Sequence, residues 1–456
     1  MKYDYKLQSQ ILQTINMPVA IPITFSASTT PDVWALNLAP LYNHTQLITS
    51  YSDGTVKSFP IESSPNKLTF QPTESFKAHP GSINMMRCDQ IGNLIGTAAA
   101  DGVKVWDLRC NNNNNTPVHW FRNDRGIPFL SLDFDPINGH LLAGGSELKQ
   151  SDSELHIWDL RTSSLVRSYI DSHHDDITEI KFHPLKSNYL LSGSTDGYVN
   201  IYDLNEPEEE DSLFQVINGD SVHSAGWLSE DRIYTLSHME TFSIHQLNDL
   251  DSLDSADVVQ PTLHGDIRET WGCEYVVDVY PGYIAMGSNS NRFAKLHEFK
   301  NEKVDLSRSI DLNSAHGEEV IRDVYVKPGS EFIFSAGEDG NVKVWKNDWV
   351  IDVPEKFCQE ETAAATNTEQ QDVEMVDAEQ GEEKSSSADS DEDSEEETVE
   401  VKKKEKKSKK EKKEKKEKKE KKDKKKDKKD KKEKKEKKES KSSKKDSKKE
   451  KRFKPY

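Results

Sequence analysis

The sequence predicts an all-β fold: a seven-bladed propeller followed by a disordered C-terminal tail. Three observations carry this. A strand–turn–strand unit built on Asp-Gly recurs through the first 350 residues. Its first and last turn aspartates, Asp53 and Asp339, lie 286 residues apart. At a blade period of ~40–50 residues that interval holds about six steps, hence seven blades. Finally, no aromatic residue occurs between Phe357 and Phe453, so only the first part of the chain can bury a core.

The elements follow in order. Ile21–Ser26 precedes the first repeat and is the candidate strand for closing the ring from the other end of the chain. Tyr51–Phe59, Ala100–Leu108, Asp152–Leu160, Thr195–Leu204 and Glu338–Trp345 are the readable repeats, the third lacking Asp-Gly. Asp-Gly suits a two-residue hairpin loop because such loops need positive φ. The alternation after each turn is the period of a half-buried strand. Ile233–Ile244 and Tyr283–Ala294 are the two worn copies, each keeping strand, polar turn and strand but no Trp-Asp. Blades are expected near 32–62, 68–122, 123–170, 171–217, 218–250, 260–305 and 310–350, within a propeller domain of residues 1–350. Asn111–Asn115 reads as a flexible surface insert. Glu206–Asp211 reads as an acidic loop.

A buried polar set accompanies three of the turns. His316, Ser335, Asp339 and Trp345 form it in the last repeat, and His173, Ser192, Asp196 and Tyr202 in the fourth. His79, Thr97, Asp101 and Trp106 form it in the second. An indole N–H only donates, a hydroxyl donates and accepts, and a buried carboxylate needs donors, so the four types satisfy one another. On these residues the chain resembles the WD-repeat family, and the resemblance implies that each set is a structural tetrad locking a blade. His316, Ser335 and Asp339 are also the residue types of a hydrolase triad. Related sets recur in other blades, which one active site does not require, and no Gly-x-Ser-x-Gly elbow accompanies them. No catalytic residue is therefore expected. His173-His174-Asp175-Asp176 has metal-ligating residue types, but His173 is already assigned and neighbours on a strand rarely converge on one ion. Neither a metal nor a cofactor is expected.

The degenerate blades carry a narrower resemblance. Gly226-Trp-Leu, Tyr234–Phe242 and Asp266–Tyr275 are similar to the group around WD repeat-containing protein 89. Arg268, Trp271 and Tyr275 are a candidate partner-facing patch, since Arg, Trp and Tyr dominate interface hot spots. Core packing of Trp271 and Tyr275 is the favoured alternative.

Charge divides the chain into three. Residues 1–350 carry a net −23, residues 351–400 a net −17 and residues 401–456 a net +21. From Gln359 onward there is little to bury, and the chain should be disordered. Ser390 and Ser394 precede acidic residues and are candidate phosphorylation sites. Phosphorylation there would deepen the negative block. Residues 402–451 repeat Lys-Lys-Glu and Lys-Lys-Asp, a coiled-coil-like pattern compatible with a transient helix. It resembles the tails of nucleolar ribosome-assembly factors. Such runs act as nuclear-import signals or nucleic-acid patches. Cys88, Cys110, Cys273 and Cys358 show no metal spacing and read as free thiols of the cytosol or nucleus. No apolar h-region or apolar run of about 18 residues is present, so neither secretion nor membrane spanning is expected.

The resulting expectation is a non-enzymatic scaffold of the nucleus, in the nucleolus, working in ribosome assembly. Its acidic propeller would hold a basic client such as a ribosomal protein or histone. Its tail would make weak contact with RNA. A chromatin-associated adaptor and a ubiquitin-ligase-type complex subunit are the alternatives. No small-molecule substrate is expected, and the cytoplasm is the second location.

Overall fold

The tight turns are built as their residue types require. Gly54 has φ +85°, and a Cβ there would stand 2.2 Å from the His79 carbonyl oxygen, so only glycine fits. In the preceding position of that turn Asp53 accepts the backbone N–H of Thr55 at 2.8 Å. The computed structural model describes residues 19–26, 32–41, 44–61, 70–89, 92–109, 116–248 and 259–354. The polyasparagine run, Cys110, Cys358, Ser390, Ser394, residues 355–400 of the acidic segment and the lysine-rich tail lie outside them.

The described strands form seven antiparallel sheets. Strand β1 (Ile21–Ser26) is set aside for the seam. Blade 1 holds β2 (Ala35–Leu41), β3 (Gln46–Tyr51), β4 (Thr55–Pro60) and β5 (Glu74–Lys77). Blade 2 holds β6 (Ile83–Cys88), β7 (Leu94–Ala99), β8 (Gly102–Asp107) and β9 (His119–Phe121). Blade 3 holds β10 (Phe129–Phe134), β11 (Leu141–Ser146), β12 (Leu155–Asp159) and β13 (Ser164–Tyr169). Blade 4 holds β14 (Ile177–Phe182), β15 (Tyr189–Ser194), β16 (Tyr198–Asp203) and β17 (Leu213–Asn218). Blade 5 holds β18 (Val222–Trp227), β19 (Arg232–Ser237), β20 (Thr241–Gln246) and β21 (Thr262–Asp266). Blade 6 holds β22 (Tyr275–Tyr280), β23 (Tyr283–Ser288) and β24 (Phe293–Lys300), with β25 (Lys303–Val304) and β26 (Ile310–Asn313) both paired to β24. Blade 7 holds β27 (Ile321–Val326), β28 (Phe332–Gly337) and β29 (Val342–Lys346). Its outer strand is β1, which pairs with β29 from Ile21 opposite Lys346 to Ser26 opposite Val342. The ring is thus closed by a strand from the opposite end of the propeller.

Three outer strands differ from the expected blade segments. Glu74–Lys77, placed by spacing in the second segment, pairs in blade 1. Thr262–Asp266, placed in the sixth, pairs in blade 5, and Ile310–Asn313, placed in the seventh, pairs in blade 6. For β5 and β21 the reason is physical. Outer strands such as β5 and β21 are almost wholly exposed. They carry no buried-face alternation, and the hairpin signal assigns them to whatever follows.

The core is a set of layers between blades. Ile180, Phe182, Leu190 and Tyr202 of blade 4 pack on Ala143, Leu155, Ile157 and Tyr169 of blade 3. In every blade the innermost strand carries a bulge against its neighbour, as between Ile321 and Asp323. A bulge leaves backbone groups unpaired and increases twist. The freed groups are taken up by the preceding blade. Ser131 Oγ donates to the Ile177 carbonyl at 2.7 Å, and Ile321 N–H donates to Tyr275 Oη at 3.0 Å. Among the described residues no helix is long and apolar enough to cross a membrane.

Candidate functional site

The three tetrads assemble as networks. His316 Nδ1–H donates to Asp339 at 2.6 Å, which leaves Nε2 to accept the Ser335 hydroxyl at 2.8 Å. Ser335 Oγ then accepts the Trp345 indole N–H at 3.0 Å. In blade 2 the His79–Asp101, His79–Thr97 and Trp106–Thr97 distances are 2.5, 2.7 and 3.0 Å. In blade 4 His173 lies 2.9 Å from Asp196 and 2.7 Å from Ser192, whose hydroxyl is 3.4 Å from that of Tyr202. Burial pulls the His316 imidazole below its ordinary pKa, so it is neutral. Burial pushes the Asp339 carboxyl up, but the bonds it accepts from His316 and Asn341 outweigh this and hold it at about 2. Ser335 is fully buried with its hydroxyl engaged on both sides, a locking role rather than a nucleophile's.

Blade 3 solves the same problem differently, and the sequence did not announce it. Gly144 stands opposite His156, and a Cβ on it would lie 2.9 Å from the Trp158 ring. In place of a tetrad, His156 Nε2–H donates to Glu154 at 3.0 Å, and Arg125 pairs with Glu154 at 3.1 Å.

The candidate partner patch does not form. Trp271, at the end of α1 (Arg268–Trp271), is buried and packs on Phe242 at 5.3 Å between ring centroids. Gly272, left-handed at φ 69°, turns the chain so that the indole points under blade 5. The Tyr275 ring lies over Gly287, and its hydroxyl accepts from Ile321 of blade 7. Only Arg268 is exposed, paired with Asp266 at 2.6 Å. The His173–Asp176 run also diverges. His174 is mostly exposed, and Asp176 accepts the Leu148 N–H at 2.7 Å.

Polar chemistry converges instead at one mouth of the central channel. The loops joining the first and second strands of the blades surround a cavity of about 780 Å³, ringed by Pro40, Pro136, Pro184 and Pro281. Arg87, Asp133 and Lys181 line it beside Phe134, Phe182 and Trp227. Burial pulls the Arg87 guanidinium down, but Glu179, Asp278, Asp133 and Asp323 outweigh it and raise its pKa. Those four carboxylates come from four different blades. Arg87 approaches Glu179 at 3.5 Å, and Lys181 pairs with Glu179 at 3.2 Å. Asp323 accepts Tyr280 O–H at 2.6 Å and Leu38 N–H at 2.7 Å. Burial pushes both Asp133 and Asp323 up to about 6 despite these partners. Four carboxylates, Asp133, Glu179, Asp278 and Asp323, thus stand around two cations, Arg87 and Lys181. His183 braces the mouth. Its Nδ1 accepts the N–H groups of Leu185 and Lys186, so Nε2–H donates to the Glu230 carbonyl at 2.8 Å. Burial lowers its pKa, in keeping with a neutral ring. The signal that could have revealed this mouth is a proline just after the inner strand in four blades, at Pro136, Pro184, Pro281 and Pro328, and near the end of that strand in blade 1, at Pro40.

Seven blades with a closing strand and histidine-centred tetrads define a WD-repeat β-propeller. The WD domain, G-beta repeat model matches residues 163–203 and 308–346. The WD repeat-containing protein YNL035C of Saccharomyces cerevisiae is 46% identical over 334 residues, covering 71% of this chain and 82% of that protein. The chain belongs to this WD-repeat family. The WD repeat-containing protein 89 homolog of Dictyostelium discoideum is 25% identical, over 59% of this chain and 73% of its own. Human nucleoporin Nup43 is 26% identical, over 48% and 59%. The β-propeller domain of Cps50 (Swd1) from a Myceliophthora fungus superposes with a TM-score of 0.54 at 16% identity. That match covers 72% of this chain and 99% of the other and shows the fold.

Proposed function

We propose that this WD-repeat scaffold works in the nucleus, in ribosome assembly, and holds a basic protein client at the acidic channel mouth. The observation that carries the reading is the under-compensated carboxylate set of Asp133, Glu179, Asp278 and Asp323 behind an open, apolar-walled mouth. A partner's Lys or Arg entering there would return the charge that burial leaves unmatched, and complementary potential speeds and orients such encounters. The net −23 of residues 1–350 extends the same field over the propeller. The lysine block at residues 401–456 would supply nuclear accumulation and weak RNA contact. A nuclear setting agrees with the name of the nucleoporin relative. Affinity purification of the tagged full chain, beside an Asp133→Asn/Asp278→Asn variant at two salt concentrations, tests the reading. Basic ribosome-assembly proteins should be recovered by the parent and lost with the variant and with salt. An identical set from both proteins would refute the channel mouth. A set without ribosomal factors would refute the setting.

A further inference from the structure

Blade 5 lacks the histidine that centres the tetrads of blades 2, 4 and 7, and a cavity stands at that place. The crossover into β18 runs only from Ile217 to Val222, whereas those carrying His173 and His316 run from Tyr169 to Ile177 and from Leu312 to Ile321. Asn218 holds the position four residues before the inner strand that His173 holds in blade 4. By strand register, Thr235 is the counterpart of Ser192, Ser243 of Asn200 and His245 of Tyr202. The result is a pocket of about 260 Å³ lined by Asn218, Asp220, Thr235, Phe242, Ser243 and Leu263, among others.

The walls of this pocket repeat the grip used on an imidazole elsewhere in the ring. In blades 2, 4 and 7 one ring nitrogen meets a hydroxyl on the second strand and the other meets a carboxylate. Here the hydroxyl is that of Thr235, 2.6 Å from Ser243 Oγ, which in turn is 2.8 Å from His245 Nε2. The carboxylate is that of Asp220, which accepts the Thr241 hydroxyl at 3.1 Å and stands in for the turn aspartate, whose place Met239 occupies. Val199, Ile217 and Phe242 supply the apolar faces between which a ring would lie. The size suits a side chain: a cavity of about 150 Å³ accepts benzene, and drug-sized ligands need ~300–1,000 Å³. Leu263, 72% exposed, leaves apolar surface at the opening.

We propose that this pocket is a binding site for a neutral histidine side chain inserted by a protein partner, which completes the tetrad that blade 5 does not make for itself. The site is separate from the channel mouth and stands whether or not that mouth binds a basic client.

The test uses 4-methylimidazole as the probe and the full chain labelled at methyl groups, at a pH of about 8.5, where an imidazole is neutral. Saturable shifts at the Val199, Ile217, Leu236 and Leu263 methyls are expected, with a Kd in the millimolar range, about 4 kcal/mol for so small a ligand. Thr235→Val keeps the shape and removes the hydroxyl. It should weaken the probe about tenfold, the worth of one buried hydrogen bond, and leave toluene binding unchanged. Shifts that do not saturate by about 50 mM, shifts centred on the channel mouth, or equal weakening of both probes would each overturn the proposal.

Discussion

Trp345→Ala removes the indole that ends the blade 7 tetrad. The side chain is 2% exposed and lies opposite Pro22 of the closing strand and Ile333 of β28. Removing a buried tryptophan costs ~3–5 kcal/mol through lost burial and the cavity left behind. The indole–Ser335 bond adds about 1 kcal/mol. Ser335 keeps its bond to His316, so its hydroxyl is not stranded and no larger penalty applies. The sum, about 4–6 kcal/mol, should lower Tm by roughly 8–12 °C, taking about 2 °C per kcal/mol for a cooperative unit of this size. Differential scanning calorimetry of the full chain measures it. Trp120→Ala, at 47% exposure, serves as the control and should move Tm far less. A double-mutant cycle with Trp345→Phe and Ser335→Ala isolates the bond and should give a coupling of about 1 kcal/mol. A Tm for Trp345→Ala within 2 °C of the parent, as small as a ~1 kcal/mol change, or a coupling near zero, would refute the directed network.

Other consequences follow from particular residues. Gly54→Ala should destabilise blade 1 by more than ~1 kcal/mol, because the new methyl meets the His79 carbonyl and the backbone is left-handed; chemical denaturation reads this as a lower midpoint, and an unchanged midpoint contradicts it. Asp323 is raised from an ordinary ~3.9 to about 6, so the folded state holds a proton the unfolded state releases, and stability from this group falls as pH rises from about 4 to 6. Relative to Asp323→Asn, the parent should therefore lose roughly 2–3 kcal/mol between pH 4 and pH 7, and a difference that stays flat with pH refutes the shift. Tyr275→Phe should cost about 1 kcal/mol by leaving Ile321 N–H without its acceptor, seen as a lowered Tm with unchanged partner recovery. A chain truncated after Glu400 should lose nuclear accumulation on imaging, and retained accumulation would move the signal out of the lysine block.

The parts of this fold that were legible in the sequence share one physical basis. Asp-Gly turns and the alternating strands after them announce the inner hairpins of a blade, since positive φ and a half-buried face both restrict residue choice. The tetrads were legible because four mutually satisfying polar types at fixed spacing are rare by chance. Outer strands such as Glu74–Lys77 were placed in the wrong blade because an exposed strand is free to vary and leaves no pattern. Trp271 and Tyr275 offered hot-spot residue types, but composition does not say which way an indole points, and Gly272 turns it inward. The charged set at the channel mouth was invisible for a different reason. Arg87, Asp133, Glu179, Asp278 and Asp323 are each ordinary alternating positions on separate strands, and only closure of the ring gathers them. The blade 5 pocket is likewise a product of register: a shorter crossover and a missing imidazole mean nothing until neighbouring blades show what belongs there.

The acidic channel mouth as the client site is tested most directly by binding of one identified client to the full chain and to Asp133→Asn/Asp278→Asn by calorimetry, across a salt series. The mouth predicts weaker binding by about tenfold or more for the variant, one tenfold step per 1.4 kcal/mol of lost charge pairing, and a shallower dependence on salt. Equal affinity and equal salt dependence in the two proteins would contradict it.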